Sequence, residues 1–321
     1  MDEIKALNDS TGPSIPAILS PSFTIFVPHL VRNKDAIQAI SPKTETYGEH
    51  PRQKLDVYRP KGDIPPNAPI MAFFHGGGFI VGDKISPRVP EGLVYHNLGT
   101  FFASRPIITI IPNYRRVNSE IGGEDAEFPS GGEDTSLVMK WLETFASDQK
   151  RDVYLMGNSA GGVHISTFLF EPRFLEQRLS YFSGEKSITL KGVIEVAVPC
   201  HFRKTTTSRL ETLRKYYGNE NDVETGCVYG LLEAIVHSKQ SREEVGVPKV
   251  LALLGQYDPA DEIGEPMEDF VALWKKTWRE GLEFAFMEGH NHISPPLALM
   301  SGDAKGERWG EDVVKWIQAS K

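Results

Sequence analysis

Short apolar segments alternate with longer amphipathic ones along most of this chain, and that rhythm limits the fold more than any other feature. Pro69–Phe74, Ile107–Ile111, Val153–Met156, Lys191–Val198, Val250–Leu254 and Leu282–Met287 have strand length and strand composition. The first of them is a continuous apolar run, as a strand buried on both faces requires. Between them, Pro90–Ala103, Glu133–Ala146, Val163–Phe170, Met267–Glu280 and Glu307–Gln318 carry helical patterning. Two shorter strands, Thr44–Tyr47 and Lys54–Arg59, are joined by the turn Gly48-Glu49-His50-Pro51. Strand alternating with helix predicts an α/β chain: a mostly parallel, doubly wound sheet with helices on both faces. Residues 200–246 break the rhythm and are expected to form a cap insertion. Residues 1–45, rich in Pro, Ser and Asn, are expected to form an arm contributing to that cap, with a helix near Asn33–Ile40. The core then comprises 46–199 and 247–321.

In such a sheet, ligands gather at the carboxyl ends of the strands. Four of those ends are unusual: His75-Gly76-Gly77-Gly78, Gly157-Asn158-Ser159-Ala160-Gly161, Tyr257-Asp258-Pro259 and Gly289-His290-Asn291-His292. The second is a G-x-S-x-G pattern between a strand and a helix. A serine forced onto so sharp a turn has strained backbone angles, and small residues two before and two after let neighbouring backbone pass. A serine hydroxyl is a poor nucleophile until a histidine takes its proton, and that histidine needs a buried carboxylate to hold its tautomer.

The loop after the last strand offers His290 and His292. His292, the later position beside the following helix, is preferred. His29, His50, His96, His201 and His237 read as structural, and His164 as packing behind the serine. For the acid, Asp258 directly follows a strand and precedes a proline; Asp261 and Glu262 are the alternatives. Consecutive glycines after His75 let two N–H groups converge on one oxygen, and the N–H of Ala160 adds a third donor. No phosphate-loop spacing and no HExxH or CxxC metal pattern occurs, so neither a metal nor a cofactor is expected.

Composition narrows the partners. The 321 residues are 40% hydrophobic and 24% charged, with a net charge of −8 and a pI near 5.7. That balance argues against nucleic acid and leaves a small molecule as the expected partner. Cys200 and Cys227 read as free thiols. The N-terminus is acidic without an apolar signal core, and its most apolar stretch, Phe23–Val31, is too short for a bilayer span. A soluble, cytoplasmic protein is expected.

Taken together, His75-Gly-Gly-Gly-Phe79, Gly157-Asn-Ser-Ala-Gly-Gly162, Gly255-Gln-Tyr-Asp-Pro259 and Gly289-His-Asn-His292 resemble the hormone-sensitive-lipase-like carboxylesterase branch of the α/β-hydrolases. Kynurenine-formamidase-like enzymes belong to the same branch. Tyr47-Gly48 with Arg52–Pro60 resembles the entry strands of that branch and Pro112-Asn113-Tyr114-Arg115 its strand end after the glycine loop. The resemblance covers roughly residues 44–318. It implies the α/β-hydrolase fold, a triad of Ser159, Asp258 and His292, and oxyanion donors at Gly77, Gly78 and Ala160. The implied activity is hydrolysis of a small or medium carboxylic ester through an acyl-enzyme. An arylformamidase, a lactone hydrolase, a narrow biosynthetic hydrolase and a small-molecule receptor are the alternatives, and a homodimer is implied by resemblance alone. The chain departs from the branch at Asn158, where many relatives carry Asp, at Arg116, where Leu is common, and at Pro259-Ala260-Asp261.

Overall fold

The computed structural model describes residues 1–117 and 126–320. The part of the expected core at 118–125, and Lys321, lie outside the described residues. The chain opens with three helices, α1 (Asp2–Thr11), α2 (Ile15–Arg32) and α3 (Lys34–Ile37). Strands β1 (Lys43–Thr46), β2 (Lys54–Tyr58) and β3 (Ile70–Phe74) follow, then α4 (Leu93–Ala103), β4 (Ile108–Pro112), α5 (Ser130–Phe145) and β5 (Arg151–Asn158). The second half runs α6 (Ala160–Phe170), α7 (Leu175–Phe182), β6 (Ile188–Val196), α8 (Thr207–Tyr217), α9 (Glu220–Gly226) and α10 (Val228–Ser238). It ends with β7 (Lys249–Tyr257), α11 (Glu265–Trp278), β8 (Leu282–Asn291), α12 (Ser294–Ala298) and α13 (Ala304–Ala319).

The eight strands among the described residues form one sheet in the order β1-β2-β4-β3-β5-β6-β7-β8. The pairs β1–β2 and β2–β4 are antiparallel, and every pair from β4 onward is parallel. Crossing helices cover both faces, which is why the central strands are apolar throughout. Along β3, Ile70, Ala72 and Phe74 join one core with Val138, Leu142, Val153, Leu155 and Val163. Met71 and Phe73 point the other way, into a second core with Leu98, Phe102, Tyr154, Met156, Trp309 and Val313. The two-residue period of a strand divides its side chains in this way. Each fully buried Leu, Ile or Phe contributes about 1.5–3 kcal/mol.

The N-terminal arm departs from expectation. It is helical almost from its start, where only a short helix near Asn33–Ile40 was expected. Proline-rich sequence hid this: α2 carries a proline at its first turn and two more, Pro21 and Pro28, inside. Ile18, Ser22, Phe26 and Leu30 recur every four residues and are buried, so one stripe of α2 lies on the body. Ile4, Phe26, Leu30 and Ile37 share a third core with Leu93, Val94, Leu297 and Ala298. The apolar stretch is also longer than Phe23–Val31. At 18 residues and a mean hydropathy of 1.2, α2 has the length and composition of a membrane span. Helices α7 and α12 were likewise not expected. Residues 200–246 hold α8, α9 and α10; Asn219 and Asp222 close a reciprocal cap at the start of α9.

Candidate active site

The serine stands where β5 turns into α6. Its backbone has φ 53° and ψ −122°, a conformation a non-glycine residue keeps only when its surroundings force it. The forcing contacts are visible. A Cβ on Gly161 would lie 2.1 Å from the carbonyl oxygen of Phe74, and the Ser159 N–H is tied to the Val196 carbonyl at 2.9 Å. The neighbouring strands therefore clamp the turn from both sides.

The hydroxyl, held in this way, meets His292. Ser159 Oγ lies 3.1 Å from His292 Nε2, and His292 Nδ1 lies 2.8 Å from Asp258 Oδ1. Asp258 Oδ2 accepts from the Gly255 N–H at 2.5 Å, which fixes the carboxylate in the turn after β7. The side chains of His292 and Asp258 are 5% and 1% exposed, so this chain of hydrogen bonds runs in a largely dry space.

The other candidates fall elsewhere. His290 Nδ1 and Nε2 lie 2.9 Å from Ser294 Oγ and 3.1 Å from the Gly306 carbonyl, and burial lowers its pKa to about 3. It is a neutral residue that ties β8 to α12 and α13. Asp261 pairs with Lys204 and Glu262 with Arg209, both away from His292. His164 packs edge-on to Tyr114 and Phe79, buried and pushed down to about 3.

The glycine loop passes directly over the serine turn. A Cβ on Gly76 would stand 3.3 Å from Ser159 Cβ. Gly77 has φ +149°, and its carbonyl accepts from the N–H groups of Ile80 and Val81 at 3.2 and 3.0 Å; a Cβ there would be 1.9 Å from the Val81 oxygen. The loop is thus a tight turn that a side chain at 77 would break. Ala160 begins α6, and its N–H is one of the first-turn donors that have no acceptor inside a helix. Of the glycine run it is Gly76 that touches the serine turn, and Ala160 follows Ser159 directly in the chain.

What holds this loop was not read from the sequence. Arg52, 7% exposed, donates from Nε to the Tyr114 carbonyl at 2.8 Å and from Nη2 to the Gly82 carbonyl at 3.1 Å, and meets Asp83 at 3.3 Å. Asn113 Nδ2 donates to Asp83 at 2.9 Å, and Lys84 Nζ to Asp56 at 2.8 Å. Arg116 donates to the Gly82 carbonyl at 3.0 Å. The hydroxyl of Tyr114 donates to the His75 carbonyl at 2.5 Å, and the two rings stack at 4.5 Å. Burial lowers His75 to about 4, so it too is neutral. The Asn113-Tyr114-Arg115 strand end and Gly82-Asp83 were the available signals, but pairing across 28 to 62 residues is invisible in one dimension.

Beyond the loop, Phe79 is buried against the region 200–246. Its ring lies 4.8 Å from Tyr216 and 6.3 Å from both Tyr217 and Phe202. On the opposite side, Ser22 of α2 accepts from Asn291 Nδ2 at 3.0 Å, next to His292. The serine residue itself is 6% exposed.

The chain is similar to several known proteins. Over 136 residues the chain is 34% identical to a "Probable isoprenylcysteine alpha-carbonyl methylesterase" of Arabidopsis thaliana, covering 41% of this chain and 28% of that protein. Over 227 residues it is 25% identical to liver carboxylesterase 1 of Oryctolagus cuniculus, covering 68% of this chain and 35% of that one. The chain thus spans about a third or less of these curated relatives. Among solved structures, esterase B from Lactobacillus rhamnosis (HN001) superposes with a TM-score of 0.65 at 16% identity, over 95% of each chain. An esterase from Rhizomucor miehei does so with the same TM-score and identity, over 98% of this chain and 95% of that one. These neighbours establish the α/β-hydrolase fold. The BD-FAE family profile matches residues 55–241, and the chain belongs to that family, on the carboxylesterase branch of the α/β-hydrolases.

Proposed function

We propose that this protein hydrolyses a carboxylic ester by a serine mechanism. The observation that carries the reading is the continuous hydrogen-bonded path from Ser159 Oγ through His292 to Asp258. His292 Nε2 takes the hydroxyl proton as Ser159 attacks the ester carbonyl. Asp258, accepting from Nδ1, holds the imidazole in the tautomer that leaves Nε2 free and stabilises the imidazolium that forms. The negative charge that develops on the carbonyl oxygen falls among the N–H groups of Gly77, Gly78 and Ala160. Each such donor is worth about 10²–10³ in rate. His292 then gives its proton to the leaving alcohol, and the acyl group stays on Ser159. In the second half, water loses a proton to Nε2, attacks the acyl carbon, and releases the free acid while Ser159 regains its proton.

The arm of α1 and α2 and the helices of 200–246 form the cap in this reading, with Phe79, Phe202, Tyr216 and Tyr217 bounding the acyl side. Aromatic side chains packed so closely favour a small acyl group. The two buried free thiols, Cys200 and Cys227, fit a reducing compartment such as the cytoplasm.

The test is hydrolysis of p-nitrophenyl esters from acetate to decanoate, with a prenylcysteine methyl ester and N-formylkynurenine alongside, for the wild type and Ser159→Ala. Ester turnover that peaks at short chains and vanishes in Ser159→Ala is expected. Cleavage of the formamide alone, or turnover that survives the substitution, would refute the reading.

A further inference from the structure

Glu195 lies at the base of the site and has no part in the mechanism above. It stands on β6 in register with Gly157 of β5, and it is 3% exposed. Its Oε1 accepts from Ser166 Oγ of α6 at 2.8 Å, while Oε2 has no hydrogen-bond partner. That free oxygen presses on the first turn of α6: a Cβ on Gly162 would lie 2.3 Å from Oε2 and 2.2 Å from the side chain of Val198. The groups that face the carboxyl are the Ser166 hydroxyl from α6 and the Cys200 thiol beyond the end of β6, itself held protonated by burial. Among the described residues, no cation acts on it. A buried carboxylate without a cation is costly, so the group keeps its proton; burial raises it to about 8.

The place matters because Ala160, Gly161 and Gly162 form the first turn of α6, the positive end of that helix. The oxyanion proposed above forms at that turn. A neutral acid under Gly162 leaves the field of the turn intact. An ionised one sets a negative charge beneath a second, developing negative charge, in a buried place where screening is weak.

We propose that Glu195 is a positioning residue of the serine turn, acting as a neutral acid whose proton keeps the oxyanion side of α6 free of opposing charge. This rests on the esterase reading. Loss of the proton weakens catalysis without moving Ser159, His292 or Asp258.

The experiment compares wild type with Glu195→Gln, which keeps shape and neutrality. Two rates are followed from pH 6 to 10: kcat on p-nitrophenyl acetate, and Ser159 labelling by a fluorophosphonate. Wild-type rates should fall at least tenfold, about 1.4 kcal/mol, as pH rises past about 8, with KM little changed; Glu195→Gln should lack that fall. Ser166→Ala gives a second reading. The Ser166 hydrogen bond favours the charged form, so its removal should move the fall to higher pH.

Thermal unfolding gives a readout independent of turnover. The folded pKa lies above the unfolded one, so stability is complete below the ordinary carboxyl range and is lost as pH rises towards about 8. The wild type should therefore lose Tm relative to Glu195→Gln across that window. Matching alkaline limbs in wild type and Glu195→Gln, or a limb unmoved in Ser166→Ala, would overturn the proposal while leaving the esterase reading in place. A wild type that neither hydrolyses esters nor labels at Ser159 overturns both.

Discussion

Gly161 faces the carbonyl of Phe74 so closely that a Cβ on it would lie 2.1 Å from that oxygen. The atom in the way is backbone of a central strand, which cannot swing aside. This contact, three residues of chain folded against a neighbouring strand, is what allows Ser159 to hold a positive φ.

Gly161→Ala is accordingly expected to destabilise the protein by about 3 kcal/mol or more, as overpacking against fixed backbone does. Ser159 should lose its alignment with His292 at the same time. Thermal unfolding and the rate of fluorophosphonate labelling measure the two effects, and an alanine variant with wild-type Tm and labelling would contradict the clamp.

Asp258→Asn tests the tautomer argument. The amide fits the same space, so the fold should survive. With the amide oxygen accepting from the Gly255 N–H, its NH₂ group donates to Nδ1 and holds the imidazole in the tautomer whose Nε2 already carries a proton. A fall in kcat of about 10³–10⁴ is expected with Tm within a few degrees of wild type. Asp261→Asn, at a residue paired with Lys204 on the surface, should leave kcat unchanged.

Arg52 ties the glycine loop to the strand end at Tyr114 through a buried guanidinium. Arg52→Ala removes those bonds; the Gly82 carbonyl keeps Arg116, and the Tyr114 carbonyl loses the Arg52 donor. We expect a loss of about 1.5–3 kcal/mol in stability, because hydrogen bonds from a buried charged donor are removed. At a temperature where the variant is folded, kcat should fall about tenfold or more while the hydroxyl of Ser159 keeps its histidine. Urea unfolding and steady-state kinetics separate the two.

His290 sets an acid limit on stability. Its folded pKa of about 3 lies below the ordinary histidine value, so the unfolded chain binds a proton that the folded chain refuses. Stability from this residue is complete above the ordinary value and is lost as pH falls towards 3, at up to about 1.4 kcal/mol per pH unit. His290→Gln should flatten the dependence of Tm on pH in that window. An unchanged slope would show that His290 is already protonated in the fold.

Much of this arrangement was legible in one dimension because its physics is local. The strand-to-helix turn at Ser159, the glycine run after His75 and the apolar runs of β3, β4 and β5 depend on neighbours a few residues away. The arm was misread for a related reason. Three prolines between residues 16 and 28 argue against a helix on propensity, yet α2 forms, because Ile18, Ser22, Phe26 and Leu30 gain a surface to lie on. Propensity is a weak prior against packing of that kind.

The sequence by itself therefore determined the order of strands and helices, the doubly wound class and the set of residues able to do acyl chemistry. It offered two histidines and three acids without separating them by contact. Only the tertiary structure decided that His292 meets Ser159 while His290 turns to Ser294 and Gly306. Only it placed Arg52 beneath the glycine loop and the carboxyl of Glu195 beneath Gly162. The pairings of Arg52 with Gly82 and of Ser159 with His292 join residues 30 and 133 positions apart. Nothing in local propensity fixes which of two adjacent side chains crosses such a distance; the register of β8 on β7 and the packing of α6 on the sheet do.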